Sequence, residues 1–353
     1  GTPGKGAIME DKTMENIHIL GVDLAKHTFA ICGADKNSYV VFRQKLTRPQ
    51  FQKTLSNLPP CIIAMEACGS AHHWARVSQA AGHEVRLIPA QYVKAFVKRH
   101  KNDAIDAEAI VEAASRPSMQ TVAVKDENQQ AQGMIFRTRE MFVKQRTQLI
   151  NAVRAHLTEY GIVLPQQRRN GRLFAKRCRS EFDAAPEIVT SLIEIYLKQI
   201  EAVDVEVAAL DVKIKKGALK NAEARRLQTM PGVGPMSAMA IQAFCPPAQN
   251  FRKGRDFAAW LGLVPRQHST GGKDRLGRIT KMGQRDVRKL LIIGAMSVIS
   301  ASERKGHCED PWLERMLAKR PRMVVAVALA NRMARRLWAM MTKERDYEIQ
   351  VVA

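Results

Sequence analysis

The chain predicts an α/β region followed by an all-helical remainder, and three observations lead there. Between residues 17 and 88, five short apolar runs are separated by polar stretches, the pattern of strands joined by turns and helices. From about residue 126 the apolar period becomes helical. Further on, Ile193, Ile200, Val207 and Ile214 repeat at seven, as do Val189, Tyr196, Val203 and Leu210, which is an a/d seam. At 353 residues there is chain enough for two or three cores.

Residues 1–14, rich in Gly and charge with no periodicity, read as a disordered leader or a cloning remnant and are set aside. Within 15–125 the runs 17–22, 28–33 and 39–45 lie close together and predict an antiparallel meander. The runs 61–65 and 84–88 alternate with helices over Ser70–Ala81 and Pro89–His100. Three hairpin strands followed by helices and parallel strands is the RNase H-like arrangement. Residues 126–222 predict a helical coiled-coil region. Its first helix, 127–159, carries Ile135, Phe142, Leu149, Val153 and Leu157 as a stripe, and its second follows Pro186 with the seam. The seam needs a partner, either the 127–159 helix of the same chain or the same helix of a second subunit. Because the two helices expose more apolar stripe than one hairpin covers, some use in oligomerisation is expected. Residues 223–346 predict helices joined by Gly-rich turns, and 347–353 a tail.

Lys and Arg total 56 against 34 Asp and Glu, a surplus of 22 that points to a polyanionic partner, nucleic acid first. No window approaches the 18 to 20 apolar residues of a membrane span, and no signal-peptide pattern opens the chain, so a cytoplasmic protein with no membrane partner is expected. The six cysteines show neither C-x-x-C nor zinc-finger spacing, which argues against a disulfide scaffold or structural zinc.

Four carboxylates carry the chemistry. Asp23 and Glu66 end two of the strand runs, while Asp103 and Asp106 stand three apart at a helix start and share a face. Brought together they form an all-oxygen site suited to Mg2+ or Mn2+. Taken singly, Asp103 reads as an N-cap, Asp106 as a first-turn charge and Glu66 as a loop acid; the order strand, strand, helix favours the joint site. Basic segments supply the phosphate contacts. Pro165–Ser180 carries Arg168, Arg169, Arg172, Lys176 and Arg177, with a solvated basic turn as the plainer reading. Met230–Pro235 matches a helix-hairpin-helix turn, in which Gly232 and Gly234 let backbone N–H groups approach a phosphate, although any tight interhelical turn uses Gly. The loop Arg266–Gly283 sets Ser269 and Thr270 beside Gly271 and Gly272, flanked by Arg266, Lys273, Arg275, Arg278 and Lys281. A hydroxyl there either binds phosphate or attacks it, with arginines neutralising the developing charge.

Five motifs in order, Gly21–Lys26, Met65–Gly69, Lys101–Ala107, Pro231–Gly234 and Gly262–Ser269, together resemble the DEDD insertion-sequence transposases, the bridge-RNA-guided or seek-RNA-guided recombinases, over residues 17 to 340. The resemblance implies an RNase H-like domain binding magnesium through Asp23, Glu66, Asp103 and Asp106, a coiled-coil linker, and a C-terminal transposase domain whose serine, carried to Ser269, attacks the DNA strand. Some relatives align that serine with Thr270 instead. It further implies a structured guide RNA from the element's non-coding end, donor and target DNA as substrates, and a dimer or tetramer joining the acids of one subunit to the serine of another. Read from the residues alone, two other functions stand beside this: a metal-only, junction-resolving endonuclease in which water attacks, and a non-catalytic nucleic-acid-binding scaffold. Four converging carboxylates without a cation argue against the scaffold.

Overall fold

The computed structural model describes residues 16–97, 103–164, 171–181, 185–268, 270, 272–273 and 275–348, with backbone only at 103 and 104. The chain divides into two compact units, 1–127 and 128–353.

The first unit is built on five strands: β1 (Ile19–Leu24), β2 (Thr28–Ala34), β3 (Val40–Thr47), β4 (Ile62–Glu66) and β5 (Glu84–Ile88). Their order in the sheet is β3-β2-β1-β4-β5. Strands β1 to β3 pair antiparallel, whereas β4 is parallel to β1 and β5 parallel to β4. This mixed sheet is compatible with an RNase H-like domain. Helix α1 (Arg48–Asn57), absent from the sequence reading, follows β3 directly. Only Phe51 and Leu55 of it are buried, too short a stripe to register as a period, and its start is set by a Thr47/Gln50 capping box with Pro in the first turn. Helix α2 (Ala71–Ala80) falls where Ser70–Ala81 predicts it. The expected Pro89–His100 helix is instead one short turn, α3 (Ala90–Val93), continued by a 3-10 turn (Lys94–Phe96), with residues 98–100 outside those described. Helix α4 (Asp103–Ser115) completes the unit.

Alternation along the strands sorts the side chains into two layers. Leu20, Val22, Phe29, Ile31, Ile63, Met65 and Leu87 pack against Phe51, Leu55, Trp74 and Ala75 of α1 and α2. Phe29, Phe51 and Trp74 meet edge to face with centroids 5.0 to 5.3 Å apart. On the other face Ile19, Ala30, Cys32, Ile62, Ala64 and Ile88 pack under Ala107, Ile110, Val111 and Ala114 of α4. Contact there is close because β1 has Gly21 at its middle: a Cβ on it would lie 2.5 Å from the Ala107 carbonyl oxygen and 2.6 Å from Val111.

In the second unit α5 (Glu127–Thr158), α6 (Gly171–Arg179) and α7 (Glu187–Lys220) come first. The ion pairs Arg139–Asp211 and Arg146–Asp204 advance along α5 while retreating along α7, so the two helices are antiparallel. Ile193, Ile200, Val207 and Ile214 of the predicted seam are buried, and Ile193 and Ile200 share a core with Ile150, Val153 and Leu157 of α5. The partner helix is therefore in the same chain. Helix α6, within the stretch the sequence reads as a basic break, buries Phe174, Ala175 and Cys178 into that core. The remainder is α8 (Ala222–Gln228), α9 (Pro235–Phe244), α10 (Gly254–Trp260), a hairpin of β6 (Pro265–Gln267) and β7 (Leu276–Ile279), then α11 (Arg285–Lys305), α12 (Pro311–Lys319) and α13 (Arg322–Lys343). One core holds these helices together with Ile214 and Ala218 of α7.

All six cysteines are free, and burial pushes the thiols of Cys61 and Cys178 up to about 12. Among the described residues no helix is long and apolar enough to cross a membrane.

The contact at Gly21 is testable. Gly21→Ala puts a methyl into the α4 backbone, and overpacking of this kind costs about 1 to 3 kcal/mol. The urea midpoint of the first unit should fall accordingly, and an unchanged midpoint would mean α4 does not seat on β1 at that point.

Candidate active site and nucleic-acid interface

Parallel register brings two of the four acids together. Val22 of β1 is opposite Met65 of β4, so the next residues, Asp23 and Glu66, stand side by side at the C-terminal ends of neighbouring strands, which run about 4.8 Å apart. Asp23 has the parity of Ile19 and Gly21, and Glu66 that of Ile62 and Ala64. Both therefore belong to the face that α4 covers. Asp106 immediately precedes Ala107, whose carbonyl lies over Gly21, and it shares a helix face with Ala109 and Ile110 of the same core. All three acids are half-buried, and α4 begins at Asp103, whose side chain is outside the described set. Among the described residues, no three His, Cys, Asp or Glu side chains are grouped to hold a metal ion. The donor chemistry nevertheless fits a hard divalent cation: carboxylate oxygens only, from two strand ends and one helix face.

Two arginines steer α4 across the sheet. Arg43 on β3 donates to Glu108 at 2.5 Å, and Arg86 on β5 donates to the Ala114 carbonyl at 2.8 Å. Arg43, Cys32, Gly21, Ala64 and Arg86 form one row across the strands. The helix thus passes from the β3 side at Glu108 to the β5 side at Ala114. Sequence reading singled out none of Gly21, Arg43 or Glu108; only the glycine inside a strand run offered a signal, that of a close backbone approach.

The predicted serine loop is a β-hairpin rather than a turn between helices. Gln267 pairs with Leu276, the His268 N–H donates to the Arg275 carbonyl at 2.9 Å, and Thr270 bridges to Lys273. Ser269, Gly271 and Asp274 lie outside the described residues, between these flanks. Arg266, Lys273, Arg275, Arg278 and Lys281 are all exposed. The hairpin base is fixed from below. Arg288 of α11, buried at 9% exposure, donates to the Leu261 carbonyl at 2.8 Å and the Met282 carbonyl at 3.2 Å, and Asn331 of α13 donates to the Leu263 carbonyl at 3.1 Å. Gly283, at φ 81°, is required because a Cβ there would strike the Trp260 carbonyl.

The other basic candidates divide. Arg168 and Arg169 lie outside the described residues; Arg172, Lys176 and Arg177 are exposed on α6. Arg179, next along the helix, is committed to α7, donating to both Glu194 and Glu201 at 2.7 Å. Those hydrogen bonds hold both carboxyls below the usual range. In the α8–α9 turn, Gly232 has φ 83° and packs on Gly294 of α11, where a Cβ would come within 2.7 Å of the carbonyl oxygen, so helix packing accounts for it. Gly234 has open space and is the N-cap of α9, its carbonyl accepting from the Ala238 N–H at 3.0 Å.

Arg179→Met should loosen α6 from α7. Because the folded-state pKa values of Glu194 and Glu201 are depressed, the pair's stabilisation is present above the unfolded carboxylate pKa of 4.5 and is lost as pH falls below it. Wild type should therefore lose stability relative to Arg179→Met between about pH 5 and 3, read by thermal melts; parallel melting curves would show that the bridge contributes nothing.

Comparison with known proteins adds an independent line. Residues 20–162 match a family model described as a transposase of the DEDD, IS110 type, and residues 224–308 match the transposase IS116/IS110/IS902 family. The chain is 45% identical to a probable family 20 transposase of Pseudomonas aeruginosa, over 94% of this chain and 99% of the relative. It is 37% identical to the transposase for insertion sequence element IS1328 of Yersinia enterocolitica, covering 94% and 98%. Against the transposase for insertion sequence element IS1111A of Coxiella burnetii the identity is 36%, covering 95% and 93%.

Proposed function

The chain belongs to the IS116/IS110/IS902 family of DEDD transposases, and from that premise we propose that it is an RNA-guided, metal-dependent recombinase that cuts and rejoins donor and target DNA with Ser269 as nucleophile. As a transposase it is an enzyme acting on DNA, and the surplus of 22 positive charges suits that substrate. The observation that carries the catalytic reading is the parallel register that sets Val22 opposite Met65, so that Asp23 and Glu66 follow at adjacent strand ends with the parity of the face α4 covers.

Asp23, Glu66, Asp103 and Asp106 are the residues that would hold Mg2+ or Mn2+, and the ion would supply Lewis-acid stabilisation of phosphate oxygens. The protein's own part begins at the hairpin. Ser269 Oγ forms a bond to phosphorus as a P–O bond of the strand breaks, and the serine proton ends on the departing sugar hydroxyl, leaving a phosphoserine linkage. Arg266, Lys273, Arg275, Arg278 and Lys281 neutralise the charge that builds on the phosphate. Rejoining is the reverse, with a hydroxyl of the exchanged strand attacking phosphoserine, so backbone bond energy is retained through strand exchange. Sequence choice is delegated to base pairing with a structured RNA from the element's non-coding end, which spares side chains that task. Arg172, Lys176 and Arg177, with Arg168 and Arg169, and the Gly232–Gly234 turn contribute phosphate contacts. The working form is a homo-oligomer, a dimer or tetramer.

The decisive measurement is a denaturation-resistant protein–DNA adduct on a nicked or suicide substrate. Ser269→Ala should abolish it while Thr270→Ala keeps most of it, and Asp23→Asn or Asp106→Asn should abolish cleavage with DNA and RNA binding retained. An adduct lost in Thr270→Ala instead would move the nucleophile by one residue. Cleavage without any adduct would make water the nucleophile, as in a metal-only endonuclease that resolves junctions.

The guide is tested separately. RNA that co-purifies with the intact chain should be one discrete structured species mapping beside the coding region, and a heterogeneous population would remove guidance from the reading.

A further inference from the structure

Helix α7 carries a second apolar stripe on the side away from its buried seam. Ile188, Leu192, Ile195, Val205, Val212 and Leu219 are between 48% and 70% exposed. With the exposed Ala202 and Ala209 they form a heptad pattern: Ile188, Ile195, Ala202 and Ala209 recur at seven, and Val205, Val212 and Leu219 recur at seven, three positions after. Relative to the buried seam Ile193–Ile200–Val207–Ile214, these two rows are rotated by about 200° and 140°, which puts them on the opposite side of the helix. Helix α5 meets α7 along the buried seam through Arg139 and Arg146, and α6 meets it at Glu194, Glu201 and Asp204. Neither covers the stripe.

Charge is sorted along the same helix. Its stretch 187–206 carries Glu187, Glu194, Glu201, Asp204 and Glu206 against Lys198; its last part carries Lys213, Lys215, Lys216 and Lys220 against Asp211. We propose that this face binds a second copy of the chain, with the two α7 helices antiparallel about a two-fold axis between Ala202 and Val205. That one axis sets Ile188 against Leu219, Ile195 against Val212 and Ala202 against Val205 of the second copy, apolar on apolar at these three levels, while Ala209 falls beside the aliphatic stem of Lys198. It also lays the acidic end of each helix along the basic end of the other, whereas parallel pairing would put like charges together and cost attraction along the whole length. Near the axis Glu201 and Glu206 approach one another. Arg179, already bonded to Glu201, supplies the compensating charge there. The contact is isologous and so closes at two copies through this surface.

The proposal names the surface for the oligomer of the preceding section and rests on that reading for its purpose, yet its test needs no catalysis. In the full-length chain carrying Cys68→Ser and Cys308→Ser, after nuclease treatment, Ile195→Cys combined with Val212→Cys should give a disulfide-linked dimer on mild oxidation. Either substitution alone should not, because equivalent residues of the two copies would lie about 25 Å apart along the axis. Ile195→Glu with Val212→Glu should weaken self-association at least tenfold by analytical ultracentrifugation, with helical content unchanged because both positions are exposed on the monomer. Efficient crosslinking by a single variant would establish parallel pairing and overturn the proposal. So would a double-cysteine chain that stays uncrosslinked, an undiminished dimer in the double-Glu chain, or a crosslink that vanishes once nucleic acid is digested. Adding Ser269→Ala to the double-cysteine chain should leave its crosslinking undiminished, so failure of the nucleophile assignment and failure of this interface are read separately.

Discussion

Helix α4 can rest on strand β1 only because residue 21 has no side chain, and the chemistry of the first unit depends on that contact. The Ala107 carbonyl and Val111 lie where a Cβ would be. Asp23 is two residues further along the same face of the strand, and Asp106 is one residue before the contact on the helix. Any side chain at 21 would lift the helix and separate acids supplied by different elements. The apposed helix face is itself small, with Ala107 and Ala114 buried beside Val111, so approach is close from both partners. Arg43 and Arg86, from the two edge strands of the sheet, then hold the helix against sliding along the strands. Bonds from charged donors, one to a carboxylate and one to a carbonyl, are stronger and more directional than apolar contact alone.

The second unit uses the same device for a different end. Gly232 against Gly294, Gly262 against Met282 and Gly283 against Trp260 draw backbone segments together where a methyl would not fit. Two of these close contacts flank the β6–β7 hairpin, whose strands are exposed and cannot be held by burial of their own side chains. Arg288 bridges carbonyls on both sides of that base, and burial pulls its pKa down. A fixed base under an exposed cationic ribbon suits a partner whose charge is repeated along its length.

How much of this was legible in the sequence follows from the kind of interaction involved. All five strands announced themselves as short apolar runs, and the acids at Asp23 and Glu66 were readable because strand ends are local features. Their adjacency required the parallel register of β1 with β4, a contact between residues about forty apart in sequence that no local pattern encodes. Helix α1 escaped notice because two buried residues do not make a period. The seam of α7 was plain, but a heptad states only that a partner exists; that α5 supplies it appears in the ion pairs from Arg139 and Arg146, which are spaced seven apart just as Asp204 and Asp211 are. The hairpin was hidden by composition. Gly, Lys and Arg in Arg266–Gly283 carry no alternation, and its strands are held by backbone bonds and by anchors from α11 and α13 that are remote in sequence.

A helix of 34 residues with apolar rows on opposite sides has more to bury than one antiparallel neighbour can take. The first row is consumed within the chain, where its ion pairs fix direction and register with α5. Leaving the second in water costs free energy that a soluble monomer has no reason to retain, since exposed apolar patches of this extent mark contact surfaces. The acids belong to one compact unit and the hairpin to the other. A two-fold pairing along α7 supplies two sets of acids and two hairpins in one particle. That is also the number of strands a single exchange must cut and rejoin on one duplex, and it gives the exposed face of α7 a reason tied to the chemistry rather than to solubility alone.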